Sequence, residues 1–246
     1  MRVTWIRRSV LGSGSEERLA LLNDSAVLGI RGALSRADAA EAARRVWGAR
    51  DRWTPDFGGE QFCLGRAFYA HLETGRSREY FAGAAAADAL VEATLPGAQR
   101  ATRELLECVV GAHVRQRPGF CGPGVHVFPA LGQVARAGGV THFDLEGLTE
   151  HQLSERARAI TLVLTLSPAA RGGGLRVWDT RFEGRADTEI DADAFEQVTI
   201  RAGAGDALVI DSRRLHQIRP FSGELDRITI TAHAAQLDRS VWEMWF

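Results

Sequence analysis

From Gly124 onward the chain alternates apolar and polar residues with the two-residue period of extended backbone, and no other feature limits the fold as strongly. Val125 and Val127 fall on one face, His126 and Phe128 on the other. Ile160, Leu162, Leu164 and Leu166 alternate with Thr161, Val163 and Thr165. Gly172, Gly173 and Gly174 then turn the chain into Leu175-Arg176-Val177-Trp178. Further strands are predicted at Val198–Arg201, Ala207–Asp211, Leu215–Pro220 and Leu225–Ala234, separated by glycines at 203, 205 and 223. Several short strands within about 110 residues have the spacing of a sandwich or jelly roll.

The preceding half has a helical period. Ser35 followed by Asp38 approximates a capping box, and Leu34, Ala37, Ala40, Val46 and Trp47 predict a helix over 35–48. An alanine-rich run from Ala84 to Leu95, ended by Pro96, and a stripe of Ala101, Leu105, Leu106, Val109 and Val110 predict two more helices packed side by side. A chain of 246 residues, 45% hydrophobic, sustains one sizeable core. The expected organisation is a single domain over 1–246, mainly β with N-terminal helices. It divides into a mostly helical support region (1–123), a strand-rich core (124–235) and an aromatic C-terminal tail (236–246).

Composition excludes several classes of function. A net charge of -1 and the lack of any basic run argue against nucleic acid and anionic membranes as partners. All 30 cationic side chains are arginine, so no lysine Schiff base, lysine nucleophile or P-loop lysine exists. Cys63, Cys108 and Cys121 form no Cys-x-x-Cys pair and read as reduced thiols. Met1 to Gly14 lacks an apolar run of signal-peptide length, and no stretch is long enough to span a membrane, so a soluble, cytoplasmic protein is expected. The sequence does not fix the oligomeric state.

His142-Phe143-Asp144 opens the strand-rich region, and His216 falls near its penultimate strand. On extended backbone, positions i and i+2 point the same way, so His142 and Asp144 can present two ligands to one ion. The pair alone is weak, because chance gives about one His-x-acid match in such a composition. His71-Leu72-Glu73 is a second match, but it lies in the helical half and reads as a surface or core histidine. Two histidines and a carboxylate leave neighbouring coordination positions open, which suits non-haem Fe(II) chemistry with oxygen. In Arg227-Ile228-Thr229-Ile230-Thr231-Ala232-His233, one face is apolar and the other wholly polar. If that polar face is enclosed, Arg227 needs an anionic partner, which a bound dicarboxylate supplies bidentately. If instead this is an edge strand, the polar face meets water.

The ordered landmarks His142-x-Asp144, Gly172-Gly173-Gly174-Leu175, Gly205-Asp206-Ala207-Leu208-Val209-Ile210, Leu215-His216 and Arg227-x-Thr229 resemble the Fe(II)/2-oxoglutarate-dependent oxygenase superfamily, closest to its prolyl-hydroxylase-like branch. The resemblance covers roughly 124–235. It implies a double-stranded β-helix, jelly-roll or cupin-like, flanked by support helices. It further implies that His142, Asp144 and His216 bind Fe(II) and form the catalytic centre, and that Arg227 and Thr229 hold the distal carboxylate of 2-oxoglutarate. Dioxygen is then the second cosubstrate, and the products are succinate, carbon dioxide and a hydroxylated small molecule such as a free amino acid or a specialised-metabolism intermediate. Relatives that halogenate carry a small residue in place of Asp144, so the aspartate points to hydroxylation. A cupin-like metal-dependent isomerase or hydrolase, or a non-catalytic metal-binding relative, is the alternative.

Four further residues are candidates for substrate contact. His126 either faces a cavity or is satisfied by core neighbours. Glu146, two residues beyond Asp144, binds a substrate amine if the extended conformation persists and is otherwise a solvated loop residue. Trp242 and Trp245 belong to a tail that either closes over the site as a lid or docks on the helices. His113, His151 and His233 have no partner identifiable from sequence.

Overall fold

The computed structural model describes residues 1–11, 20 and 24–246, so the last residues of the N-terminal segment read above lie outside the described residues. With strands numbered in chain order, the large sheet runs β1 (Val3–Arg7), β2 (Val27–Arg31), β11 (Ala207–Asp211), β7 (Ala159–Ser167), β14 (Arg227–Gln236), β6 (Gly124–Phe128), β4 (Gln61–Leu64) and β3 (Thr54–Asp56). β15 (Val241–Trp245) continues it by pairing with the end of β14 and with β5 (His113–Gln116). The smaller sheet has the order β10 (Gln197–Ile200), β9 (Leu175–Arg181), β12 (Arg214–Ile218), and His142 extends it through an antiparallel bridge to His216. β8 (Arg171–Gly172) and β13 (Phe221–Ser222) pair as a short two-stranded ladder.

Residue parity decides what each face of the large sheet buries. Ile160, Leu162, Leu164 and Leu166 of β7, Ile228, Ile230, Ala232 and Ala234 of β14, Val125 and Val127 of β6, and Ala207 and Val209 of β11 all join one core. The cover over this face comes from helices α1 (Arg36–Gly48), α3 (Ser77–Thr94) and α4 (Ala98–Val110), with the six-residue α2 (Phe68–Glu73) beside them. Each fully buried leucine or isoleucine contributes about 1.5–3 kcal/mol, so this layer fixes the strand register. The opposite face carries Leu208 and Ile210, which pack on Leu175, Val177 and Ile200 of the smaller sheet. Its polar residues, Thr161, Thr165, Arg227, Thr229, Thr231 and His233, therefore lie between the sheets.

Helices form where the sequence predicts them. Ser35 caps α1, its Oγ accepting from Asp38 N at 3.1 Å and donating to the Asp38 carboxylate at 2.6 Å. In α4 the buried stripe is Thr102, Leu105, Leu106, Val109 and Val110, with Ala101 turned outward. The structure decides three further points. The support region also contributes β1 to β5, which are three to five residues long and show little alternation, because they extend sheet edges already set by the core strands. The edge-strand reading of β14 fails: it is central, hydrogen-bonded to β6 and β7, and its polar face is enclosed. The tail is a strand rather than a lid, and Trp242 and Met244 dock in the helix-side core.

The turn into β11 illustrates how glycine and charge set a strand's start. Asp206 accepts from Arg31 Nη1 at 2.5 Å, from Gly32 N at 3.1 Å and from Gly203 N at 3.2 Å. Gly205 has φ +83, and a Cβ there would lie 2.2 Å from the Leu34 carbonyl oxygen. Only glycine meets both conditions.

Candidate metal centre

His142 and His216 are joined by reciprocal backbone hydrogen bonds, N to O at 3.0 Å each way. Two residues on, Asp144 N donates to Ser212 O at 2.8 Å, which keeps the segment extended and puts His142 and Asp144 on the same side. Nδ1 of His142 lies 2.9 Å from Val140 O, and Nδ1 of His216 lies 2.9 Å from Arg214 O. A carbonyl can only accept, so both rings donate through Nδ1, which turns Nε2 of each toward the Asp144 carboxylate. Nε2 of His142 is 3.3 Å from Asp144 Oδ1, and Nε2 of His216 is 3.4 Å from Oδ2. One ligand atom from each of the three residues lies within 4.8 Å of the others. Two imidazoles and one carboxylate converging from one side can hold a divalent transition metal with adjacent positions left for other ligands.

Asp144 is supported from behind by residues that sequence reading did not single out. Thr161 Oγ1 donates to its Oδ2 at 2.5 Å, and is itself 3.0 Å from Ser212 Oγ and 3.1 Å from His233 Nδ1. Parity puts Thr161 and His233 on the enclosed faces of β7 and β14, but their meeting depends on a cross-strand register that sequence does not display. Burial alone would raise the Asp144 carboxyl, but the charges of His216 and His233 and the hydrogen bonds from His142 and His216 hold it well below the usual range. For His142 burial acts downward, and the Asp144 hydrogen bond and charge outweigh it, raising the ring to about 9. An ionised carboxylate beside a proton-bearing imidazole is the arrangement a cation displaces on binding.

Arg227 begins β14 on the same enclosed face. Its guanidinium lies 5.0 Å above the Phe128 ring, and no carboxylate of the described residues pairs with it. Burial depresses its pKa to about 10, so it stays cationic at neutral pH without an internal counter-ion. It reaches a cavity of about 60 Å³ between the sheets, lined also by Val163, Thr165, Leu175 and Leu208. Thr229 is buried beside it, in register with His126 of β6 and Thr165 of β7.

The remaining candidates divide. His126 lies on the inner face of β6, and burial together with the nearby His233 and Arg227 lowers it to about 3. Glu146 is half-buried near the triad, and burial, reinforced by Asp144, pushes its carboxyl up to about 7. Trp245 reaches the vicinity: its Nε1 donates to Glu146 O at 3.1 Å, and its ring stacks on His233 at 6.1 Å. Trp242 is not brought to the site; it is 1% exposed and packs in the helix-side core. His71 is a buried core residue whose Nδ1 meets Ala67 O. From the support region, Cys63, Asp56 and Tyr69 approach the back of His126.

Fold and site together define a double-stranded β-helix with a His-x-Asp and distal His cluster facing its interior. No family model matches the chain, and no curated protein matches it. Solved structures do. The chain is similar to an N-substituted L-amino acid dioxygenase from Burkholderia ambifaria AMMD in complex with α-ketoglutarate (2-oxoglutarate), with 16% identity, TM-score 0.59 and coverage of 94% of this chain and 91% of that one. It is similar to the epimerase SnoN from nogalamycin biosynthesis in complex with Fe3+, α-ketoglutarate and nogalamycin RO, with 16% identity, TM-score 0.55 and coverage of 90% and 85%. The α-ketoglutarate-dependent carbocyclase SnoK gives 14% identity, TM-score 0.55 and coverage of 93% and 86%. The fold is therefore the one these non-haem, α-ketoglutarate-dependent enzymes share. Among the described residues, no helix is long and apolar enough to cross a membrane.

Proposed function

We propose that the protein is an Fe(II)- and 2-oxoglutarate-dependent oxygenase that hydroxylates a C–H bond of a small molecule, such as a free amino acid or a specialised-metabolism intermediate. The observation that carries this reading is the conjunction, inside one β-roll, of the His142/Asp144/His216 cluster with an arginine, Arg227, that has no counter-ion of its own. A metal-dependent isomerase or hydrolase needs the first feature and has no use for the second. Likeness to iron and α-ketoglutarate enzymes of similar length adds support.

In this reading His142, Asp144 and His216 hold the iron, and Arg227 with the Thr229 hydroxyl binds the distal carboxylate of 2-oxoglutarate. The bound pair supplies, with dioxygen, oxidative decarboxylation to succinate and carbon dioxide coupled to insertion of one oxygen atom into a substrate C–H bond. The chain's own part is placement. The Val140 and Arg214 carbonyls fix the imidazole tautomers, and Thr161 steadies Asp144.

The test is succinate release from 2-oxoglutarate under air with ferrous iron, across a panel of amino acids and their derivatives. The wild type is expected to release succinate, and Asp144→Gly to abolish both that release and hydroxylation. Under labelled dioxygen the product should gain one labelled oxygen. Release undiminished in Asp144→Gly would remove the carboxylate from the metal site, and a product without label would move the outcome to epimerisation, desaturation or ring closure.

A further inference from the structure

His126 takes no part in the cluster or the carboxylate clamp, yet it lies between them. It is in register with Thr229 and one alternation from Phe128, the ring beneath Arg227. It is 6% exposed, and its Nε2 has no hydrogen-bond partner among the described residues. Nε2 is not sealed from solvent, and in an otherwise buried ring it is the nitrogen open to a bound molecule.

Whether Nε2 gives or accepts a hydrogen bond is decided behind the ring. Nδ1 lies 3.2 Å from Cys63 Sγ, and Sγ lies 2.8 Å from Asp56 Oδ2. The thiol has one proton. Arg76 Nη2, 3.9 Å from Asp56 Oδ1, holds the carboxyl ionised against the upward push of burial; a carboxylate can only accept, and a sulfur–oxygen contact this short requires a proton between the atoms, so Cys63 donates to Asp56. The sulfur then faces Nδ1 as an acceptor. The ring proton therefore sits on Nδ1, and Nε2 presents a bare lone pair to the interior. Burial, with His233 and Arg227 nearby, keeps the ring neutral.

2-Oxoglutarate offers only carboxylate and keto oxygens, all of them acceptors, and does not match a bare Nε2. We propose that His126 is a specificity-determining residue whose Nε2 accepts a hydrogen bond from an N–H or O–H of the substrate, with Cys63 and Asp56 as positioning residues that hold its tautomer. The substrate class is thereby narrowed to small molecules carrying such a donor. The substrate assignment rests on the oxygenase reading above; the tautomer does not.

Three measurements test it. In Zn(II)-loaded protein labelled with ¹⁵N-histidine, His126 should show a protonated Nδ1 and an unprotonated Nε2 at neutral pH. Cys63→Ser, which can make the same two hydrogen bonds, should preserve that state, and Cys63→Ala should shift the ring toward the Nε2–H form. Anaerobic titration of the Fe(II) protein with 2-oxoglutarate should give the same affinity in His126→Ala as in wild type, within about two-fold, because the ring is not a ligand of the cosubstrate. Each compound that stimulates succinate release is then compared with its methylated analogue lacking the donor. Wild type should lose roughly ten-fold or more in kcat/KM on methylation, while His126→Ala treats the pair alike. An Nε2–H tautomer in wild type, a fall in 2-oxoglutarate affinity in His126→Ala, or equal discrimination in both proteins overturns the proposal. Wild type that fails to bind 2-oxoglutarate at all overturns the oxygenase reading instead.

Discussion

At the residue scale, single atoms have their roles set by what lies behind them. Thr161 has one hydroxyl proton and gives it to Asp144, so Ser212 and His233 must act as donors toward Thr161. His126 is the sharper case, because its neutral state makes folding sensitive to acid. Its ordinary pKa is 6.5, and in the folded protein it falls to about 3. The unfolded chain takes up a proton that the folded one refuses, so stability is full above pH 6.5 and is lost as pH falls toward 3. The slope from this ring is at most about 1.4 kcal/mol per pH unit. Denaturant titrations across that window should show a steeper acid loss for wild type than for His126→Gln; parallel curves would mean that the ring is protonated in the folded state.

At the element scale, strands depend on a few backbone positions that side-chain periodicity does not report. Gly205→Ala should destabilise the protein by more than about 2 kcal/mol, since it adds a strained backbone and a contact with the Leu34 carbonyl. Gly32→Ala is the control: its φ of +63 carries similar backbone strain, but nothing lies within 4 Å of the added Cβ, so its cost should be clearly smaller. Equal losses in thermal denaturation would show that the contact is relieved by movement of the turn. The strands of the core were legible in the sequence because each buries one face, and β7, β11 and β14 appear within two residues of the predicted spans. β3, with Pro55 at its centre, and β4 were not legible, because their pairing is imposed by β6 rather than by their own pattern. The pairing of His142 with Asp144 could be read from parity, and the arrival of His216 beside them followed only from the resemblance of the ordered landmarks. The Cys63–Asp56 support behind His126 could not be read, because it arises from a hairpin in the other half of the chain.

At the scale of the whole molecule, the helical support layer and the terminal strand together hold β14, and with it the polar face that runs from Arg227 to His233. Trp242 is fully buried and ties the terminal strand to this layer. Trp242→Ala should cost about 3–5 kcal/mol and lower Tm by roughly 10 °C, whereas a freely closing lid would leave Tm unchanged. The central claim is that this face and the smaller sheet enclose one site where a metal and a dicarboxylate meet. It is tested most directly by titrating anaerobic Fe(II) protein with 2-oxoglutarate and following the visible charge-transfer absorption of the chelate. A saturable band is predicted in wild type, with affinity reduced by about 100-fold or more in Arg227→Ala through loss of a charge-assisted bidentate contact while iron binding is retained. No band in wild type, or the same affinity in both proteins, would contradict the account.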